Sequence, residues 1–323
     1  EALRRMGWLA WVVAVLLLGL VLTPLGTDVG GNQNWLRLGP VQFQPSEFAK
    51  LALIVWCGTV FHLKRGRLHE PLQLALPLLP FGGLIVALVL AGKDLGTGLI
   101  LGAILVLIMW FVGFPLRVLV PLGAAALALV GLLVYGSGNR MSRISIFLDP
   151  QSNTDLSSQP MAALYALASG GWWGAGLGAS KQKWGGLKTG AHTDYIFAVI
   201  GEELGLFGVL LVIGLFALLG WAGLEVALRS DKLFNRIVAA GITGWFMVQA
   251  VINIMVVMHL LPVLGVPLPF MSYGGTALMA SLMAAGVLLA LARNTPTARA
   301  YRASRRPKSR PRMTSVMAAS KED

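Results

Sequence analysis

Residues 188–225 read KTGAHTDYIFAVIGEELGLFGVLLVIGLFALLGWAGLE, and this stretch decides the fold class. A polar step, His192-Thr193-Asp194, leads into an apolar run over 195–225 that is broken only by Glu202 and Glu203 before it ends on Glu225. About 20 apolar residues in a helix cross the hydrocarbon core of a bilayer. Seven further runs of this kind lie at about 7–24, 46–63, 74–92, 97–113, 116–135, 235–259 and 271–292. Only helices or closed barrels satisfy every backbone group in lipid, and these runs are too long and continuous for barrel strands. The chain therefore reads as an all-α polytopic membrane protein of eight spans. Its composition agrees: 56% of the 323 residues are hydrophobic, 12% are charged, and the mean hydropathy is +0.73.

The net charge of +12 would suit a nucleic-acid binder, but its distribution excludes one. The positives gather between apolar runs: Arg4-Arg5, Lys64-Arg65-Arg67, Arg117, Arg229 with Lys232 and Arg236, and Arg302 to Arg312. The tail lacks the interleaved aromatics on which bases stack. With the N-terminus inside, every cluster falls on the cytoplasmic side, as the positive-inside rule requires. Residues 1–292 are then the transmembrane domain. Residues 293–323 are a basic, disordered cytoplasmic tail near anionic membrane lipids. The loops 25–45, 93–96, 136–194 and 260–270 fall outside. The single cysteine, Cys57, excludes an intrachain disulfide framework. No small-residue cleavage site follows the first run, so no cleavable signal peptide is expected.

The outer loop 136–194 is too long for a simple connector. Its segment 161–178, MAALYALASGGWWGAGLG, suits a stretch lying on or dipping into the outer leaflet, with Trp172 and Trp173 at headgroup depth. Its glycines fit either close packing or close approach to a ligand. The loop 260–275, LLPVLGVPLPFMSYGG, holds Pro262, Pro267 and Pro269 and reads as a rigid bent connector.

Few ionisable residues could carry chemistry. Asp194 stands at the outer mouth of a helix beside His192 and a loop carrying Lys181, Lys183 and Lys188. It could cap the helix. Equally, it could be a general base on an anionic lipid-linked substrate, given a pKa raised by partial desolvation. Glu202 and Glu203 point about 100° apart on the same helix; pairing between helices is the simpler role for at least one of them. In Gln44-Pro45-Ser46-Glu47-Phe48-Ala49-Lys50, Ser46 reads as an N-cap. Glu47 and Lys50 pair at three-residue spacing, or Lys50 lines a polar cavity. Asp94 could cap the fourth span. The four histidines, His62, His69, His192 and His259, lack metal-ligand spacing, and Gly174–Gly178 lacks the strand–helix context of a dinucleotide site.

Taken together, NWLRLGPVQFQPSEFAKLAL (34–53), KDLGTGLIL (93–101), RISIFLDP (143–150), GGWWGAGLG (170–178), HTDYIFAVIGEELG (192–205) and LLPVLGVPLPFMSYGG (260–275) resemble the SEDS family of RodA, FtsW and SpoVE. The segments keep the family's order and cover most of the chain. The resemblance implies a SEDS-like helical bundle and a peptidoglycan glycosyltransferase of cell elongation or division. Such enzymes polymerise lipid II, an undecaprenyl-pyrophosphate-linked disaccharide pentapeptide, at the outer face of the bacterial cytoplasmic membrane. Their partner is a class B penicillin-binding protein. By the resemblance, Asp194 is the essential acid that deprotonates the acceptor hydroxyl. Gln44, Ser46, Glu47, Lys50, Glu202, Glu203 and Ser272 fall in the matching motifs. Glu47, Lys50, Arg143, Lys181, Lys183 and His192 are the candidate substrate contacts, the cations facing a pyrophosphate leaving group. No cofactor is demanded, though an acid near a pyrophosphate suits a divalent cation such as Mg²⁺.

Departures from the pattern stand at Asn34, at Lys188-Thr189-Gly190-Ala191 and at Thr276-Ala277. The resemblance also implies about ten spans of about 20 residues each, so the family's first hairpin is expected to be missing. Two rival functions use the same residues. A lipid flippase would use Glu47, Lys50, Glu202 and Glu203 as a polar pathway, although no paired repeats of a transporter are evident. A scaffold that only recruits the penicillin-binding protein leaves Asp194 without a purpose.

Overall fold

The computed structural model describes residues 2–29, 31–39, 41–67, 76–150 and 154–305. In chain order its helices are α1 (Gly7–Val21), α2 (Pro45–Leu63), α3 (Leu78–Ala91), α4 (Leu95–Val112) and α5 (Leu116–Tyr135). Next come α6 (Gly138–Leu148), α7 (Thr154–Ser169), α8 (Ile196–Leu228), α9 (Leu233–Val257), α10 (Gly275–Ala292) and α11 (Pro296–Arg305). Each predicted span contains an apolar helix. Six of these, α2, α4, α5, α8, α9 and α10, are long enough to cross a bilayer; α1 and α3 are shorter. α1 stops at Val21 ahead of Pro24, which cannot continue a helix. Part of the third predicted span, 74–75, lies outside the described residues. The last span starts at Gly275 rather than 271, because Ser272 and Tyr273 bind elsewhere.

α2 and α9 form the centre of the bundle, and most of both is buried. Lipid is as apolar as leucine, so close van der Waals packing holds such helices together. A Cβ on Gly58 would meet Val238 Cγ2 at 2.7 Å, and one on Gly241 would meet Ile54 Cγ2 at 2.7 Å. Hydrogen at these two positions sets the helix spacing. α5 is peripheral: Leu119 is its buried residue, while Leu127 and Leu132 are exposed and suited to lipid.

The sequence reading missed a small sheet in the first outer loop. Strands β1 (Gly26–Val29), β2 (Asn32–Leu38) and β3 (Val41–Phe43) pair antiparallel in that order, with Gly26 opposite Leu36 and Leu36 opposite Phe43. The long outer loop is likewise folded. α7 buries Ala162, Ala163 and Ala166 in a second core with Phe197, Ala198 and Leu187. Trp172 and Trp173 remain 67% and 81% exposed, as headgroup-level side chains would be. In the basic tail, Pro296–Arg305 is helical, and the remainder, 306–323, lies outside the described residues.

α8 has 33 residues. At 1.5 Å per residue it runs about 50 Å, well beyond a hydrocarbon core of about 30 Å. Gly205 divides it, with φ 66° and ψ −159°. In a regular helix the N–H groups of Leu206 and Phe207 would bond the carbonyls of Glu202 and Glu203. Instead all four groups bond the glycine-rich loop. Ala175 N–H donates to Glu202 O at 2.8 Å and Gly176 N–H to Glu203 O at 3.0 Å. Leu206 N–H donates to Gly171 O at 2.9 Å and Phe207 N–H to Trp172 O at 3.5 Å. A Cβ on Gly174 would stand 2.1 Å from Glu203 O. Close packing is thus the role of Gly174 here.

Candidate active site

Three consecutive carbonyls at the start of α8 are each fixed from outside the helix. His192 O accepts from Tyr273 N–H at 2.7 Å. Thr193 O accepts from the Ser272 hydroxyl at 2.7 Å, and that hydroxyl accepts from Leu268 N–H. Asp194 O accepts from Asn253 Nδ2 at 2.8 Å, and Asn253 also donates to Val266 O at 2.8 Å. The proline-rich loop after α9 and the end of α9 therefore hold this backbone from one side. The irregular loop backbone is tolerated at this depth because protein surrounds it.

The N-cap of α8 is Tyr195, and no side chain caps it. Capping, one of the two roles open to Asp194 from sequence, is therefore not what its carboxylate does. Among the described residues that carboxylate has no hydrogen-bond partner. Burial pushes its pKa up to about 6, and the positive charge of Arg143 partly opposes the rise. Burial, with the Asp194 charge adding to it and Arg143 opposing it, pushes the neighbouring Tyr195 hydroxyl above its usual range. A carboxylate with a pKa near the working pH is suited to proton abstraction.

Arg143 lies on α6, with Nη1 3.4 Å from Val263 O. It also lines a groove of about 260 Å³ between α4, α5, α6 and the last outer loop. Lys93 and Arg140 join it at this groove, above Leu99, Leu127, Val130 and Leu264. Arg140 Nη2 donates to Lys93 O at 3.0 Å, which fixes the rim.

The other expected residues form three separate clusters. Lys50 Nζ donates to Glu47 Oε1 at 2.8 Å and to Gln249 Oε1 at 2.9 Å, and lies 4.8 Å from the Trp245 ring centroid. Gln249 Nε2 reaches Pro267 O at 2.8 Å. Lys50 is fully buried, so the Glu47 pairing foreseen from sequence is what is found. Asp94 caps α4 by accepting from Thr97 N–H at 3.0 Å, and also accepts from Asn34 and Gln44. Ser46 is not an N-cap: α2 begins at Pro45, with Gln44 ahead of it, and proline suits the first helical position. Glu202 accepts from the Ser180 hydroxyl at 2.6 Å and from Lys181 N–H at 2.8 Å. Lys183 Nζ stands 3.8 Å from Glu203 Oε1, while Lys181 and His192 are exposed. The side chain of Lys188 lies outside the described residues.

Asn253, Gln249, Tyr273, Lys93 and Arg140 were missed from sequence. A signal existed for two of them: Gln249 and Asn253 sit four apart in an otherwise apolar span, where amides are costly unless paired. Among the described residues no group of three His, Cys, Asp or Glu gathers to hold a metal ion.

The fold and site define a polytopic helical membrane protein with a partly desolvated acid, without a hydrogen-bond partner among the described residues, clamped at one membrane face. Residues 1–297 match the family model of FtsW, RodA and SpoVE, described as cell cycle proteins, and the chain belongs to that family. It is 38% identical over 298 residues to the probable peptidoglycan glycosyltransferase FtsW of Mycobacterium tuberculosis, covering 92% of this chain and 57% of that protein. The chain thus spans little more than half the length of that relative. Among solved structures, a chain of a peptidoglycan synthase complex aligns with a TM-score of 0.73 at 30% identity, covering 91% of this chain and 82% of that one. The rod shape determining protein RodA of Thermus thermophilus aligns at 0.65 and 29%, covering 91% and 80%.

Proposed function

We propose that this chain is a peptidoglycan glycosyltransferase. It polymerises lipid II at the outer face of the bacterial cytoplasmic membrane, beside a class B penicillin-binding protein. The observation that carries the reading is Asp194: its backbone is fixed by α9 and the last outer loop, its carboxylate has no hydrogen-bond partner among the described residues, and its pKa is raised to about 6. Asp194 removes the proton of the acceptor sugar hydroxyl. That oxygen bonds the anomeric carbon of the donor sugar as the bond from this carbon to the pyrophosphate oxygen breaks. The pyrophosphate leaves with the electron pair.

The groove rimmed by Lys93, Arg140 and Arg143 suits the leaving group, with the prenyl chain on the leucines below. Lys181, Lys183 and His192 are further contacts for the head of the substrate. Glu47 and Lys50 act at one remove, through Gln249 and the Pro267 carbonyl. Their charges close on each other, which favours polymerisation over a polar translocation path.

Asp194→Asn tests the proposal with purified chain, its partner and lipid II. Loss of a general base lowers the rate by about 10²–10⁴-fold. Polymerisation at the wild-type rate by a folded Asp194→Asn chain overturns the assignment.

A further inference from the structure

The opposite, basic end of the bundle holds a cavity of about 630 Å³. Four cationic side chains line it, Arg4, Arg65, Lys232 and Arg299, against one carboxylate, Asp231. They come from four separate places: the segment before α1, the turn after α2, the turn before α9, and α11. Their convergence is therefore not the side effect of one basic run. Asp231 pairs with Arg299. Arg4 Nη1 donates to His62 Nε2 at 2.6 Å. Arg65 and Lys232 have no carboxylate partner among the described residues. Cations of one sign in a concave site focus the field and concentrate counter-ions. Charge left unpaired in a concavity, rather than spread on the surface, calls for an anion with several acceptor oxygens.

We infer that this cavity binds a phosphate-bearing anion, supplied by the headgroup of an anionic phospholipid or by a free phosphate compound. Basic pockets between helices at the cytoplasmic face take such headgroups. The inference concerns the end away from Asp194 and stands independently of the glycosyl transfer proposed above.

The test uses the full chain. One arm reconstitutes it in nanodiscs of phosphatidylcholine with or without cardiolipin, and reads retained lipid by native mass spectrometry. The other adds inorganic pyrophosphate in detergent and reads thermal unfolding. Arg65→Gln with Lys232→Gln is expected to weaken binding about 25-fold, at about fivefold per cation removed. Arg302→Gln, on the same helix as Arg299 but outside the lining, leaves binding unchanged. Asp231→Asn tightens it, a sign that loss of folding cannot imitate. A response to cardiolipin alone identifies a lipid headgroup, and a response to pyrophosphate identifies a free phosphate compound; either supports the inference. It is overturned if the double variant binds as the wild type does, if Arg302→Gln weakens binding equally, or if Asp231→Asn fails to tighten it.

Discussion

Replacing Lys50 by methionine isolates the energetics of the buried charge cluster between α2 and α9. Lys50 is 0% and Glu47 2% exposed, and Glu47 Oε2 already lacks a partner among the described residues. Methionine preserves most of the packing volume, so the main loss is the 2.8 Å ion pair. Gln249 Oε1 keeps a donor, because Trp245 Nε1 reaches it at 2.6 Å. Breaking one side of a buried pair costs about 3–5 kcal/mol, chiefly because the remaining charge is left uncompensated. The expected loss of stability for Lys50→Met is therefore about 3–5 kcal/mol. Adding Glu47→Leu removes the stranded charge and should restore most of it, since apolar replacement of a whole buried pair is often near neutral. The chain carries its own reporter: Cys57 is its single cysteine and is fully buried in α2. A fluorogenic thiol dye therefore reads unfolding directly. If Lys50→Met unfolds with the wild type, or if the second substitution deepens the loss, the cluster is not held by this pair.

Other consequences are open to direct measurement. Polymerisation should fall as pH drops through about 6, because the base must be deprotonated and burial raises its pKa. Arg143→Gln removes the charge that opposes this rise, so the acid limb of the pH profile should move upward. A limb that stays in place would separate Arg143 from Asp194. Gly174→Ala puts a Cβ 2.1 Å from a main-chain oxygen at φ +79° and should cost at least about 1–2 kcal/mol, whereas Gly102→Ala, with open space around it, should not destabilise. Asn253→Leu strips a donor from both Asp194 O and Val266 O, at about 1–3 kcal/mol per buried acceptor left unmet, and should slow polymerisation.

The eight apolar helices were legible because spanning length is a sum over many residues and tolerates error at each. The ends were less so: the last span, α10, begins four residues late because Ser272 and Tyr273 serve the clamp. Asp94 as a cap could be foreseen because capping is local. Ser46 was misplaced since proline one residue earlier makes the better first helical position. The small sheet escaped notice because two of its strands have only four and three residues, and the longest opens on the polar run Asn32-Gln33-Asn34, which gives little alternation. Nothing local marks Gly205 as a break among several helical glycines; its conformation depends on a loop some thirty residues earlier. Asp194 stood out as an acid at a membrane edge, but the side chains that fix it lie well down the chain.

That separation bears on biosynthesis. Among the described residues, every group that fixes the carbonyls of residues 192–194 belongs to Asn253, Ser272 or Tyr273. While the ribosome has delivered the helix that follows Asp194 but not yet Asn253, the acid already stands at its membrane edge; its flanking N–H groups, Thr193 and Tyr195, bond Gly190 O at 3.1 and 3.0 Å, but the carbonyls of 192–194 still lack these partners. On the proposed function, the site is completed only when the loop ahead of α10 is laid down, so the order of synthesis itself keeps an insertion intermediate short of it.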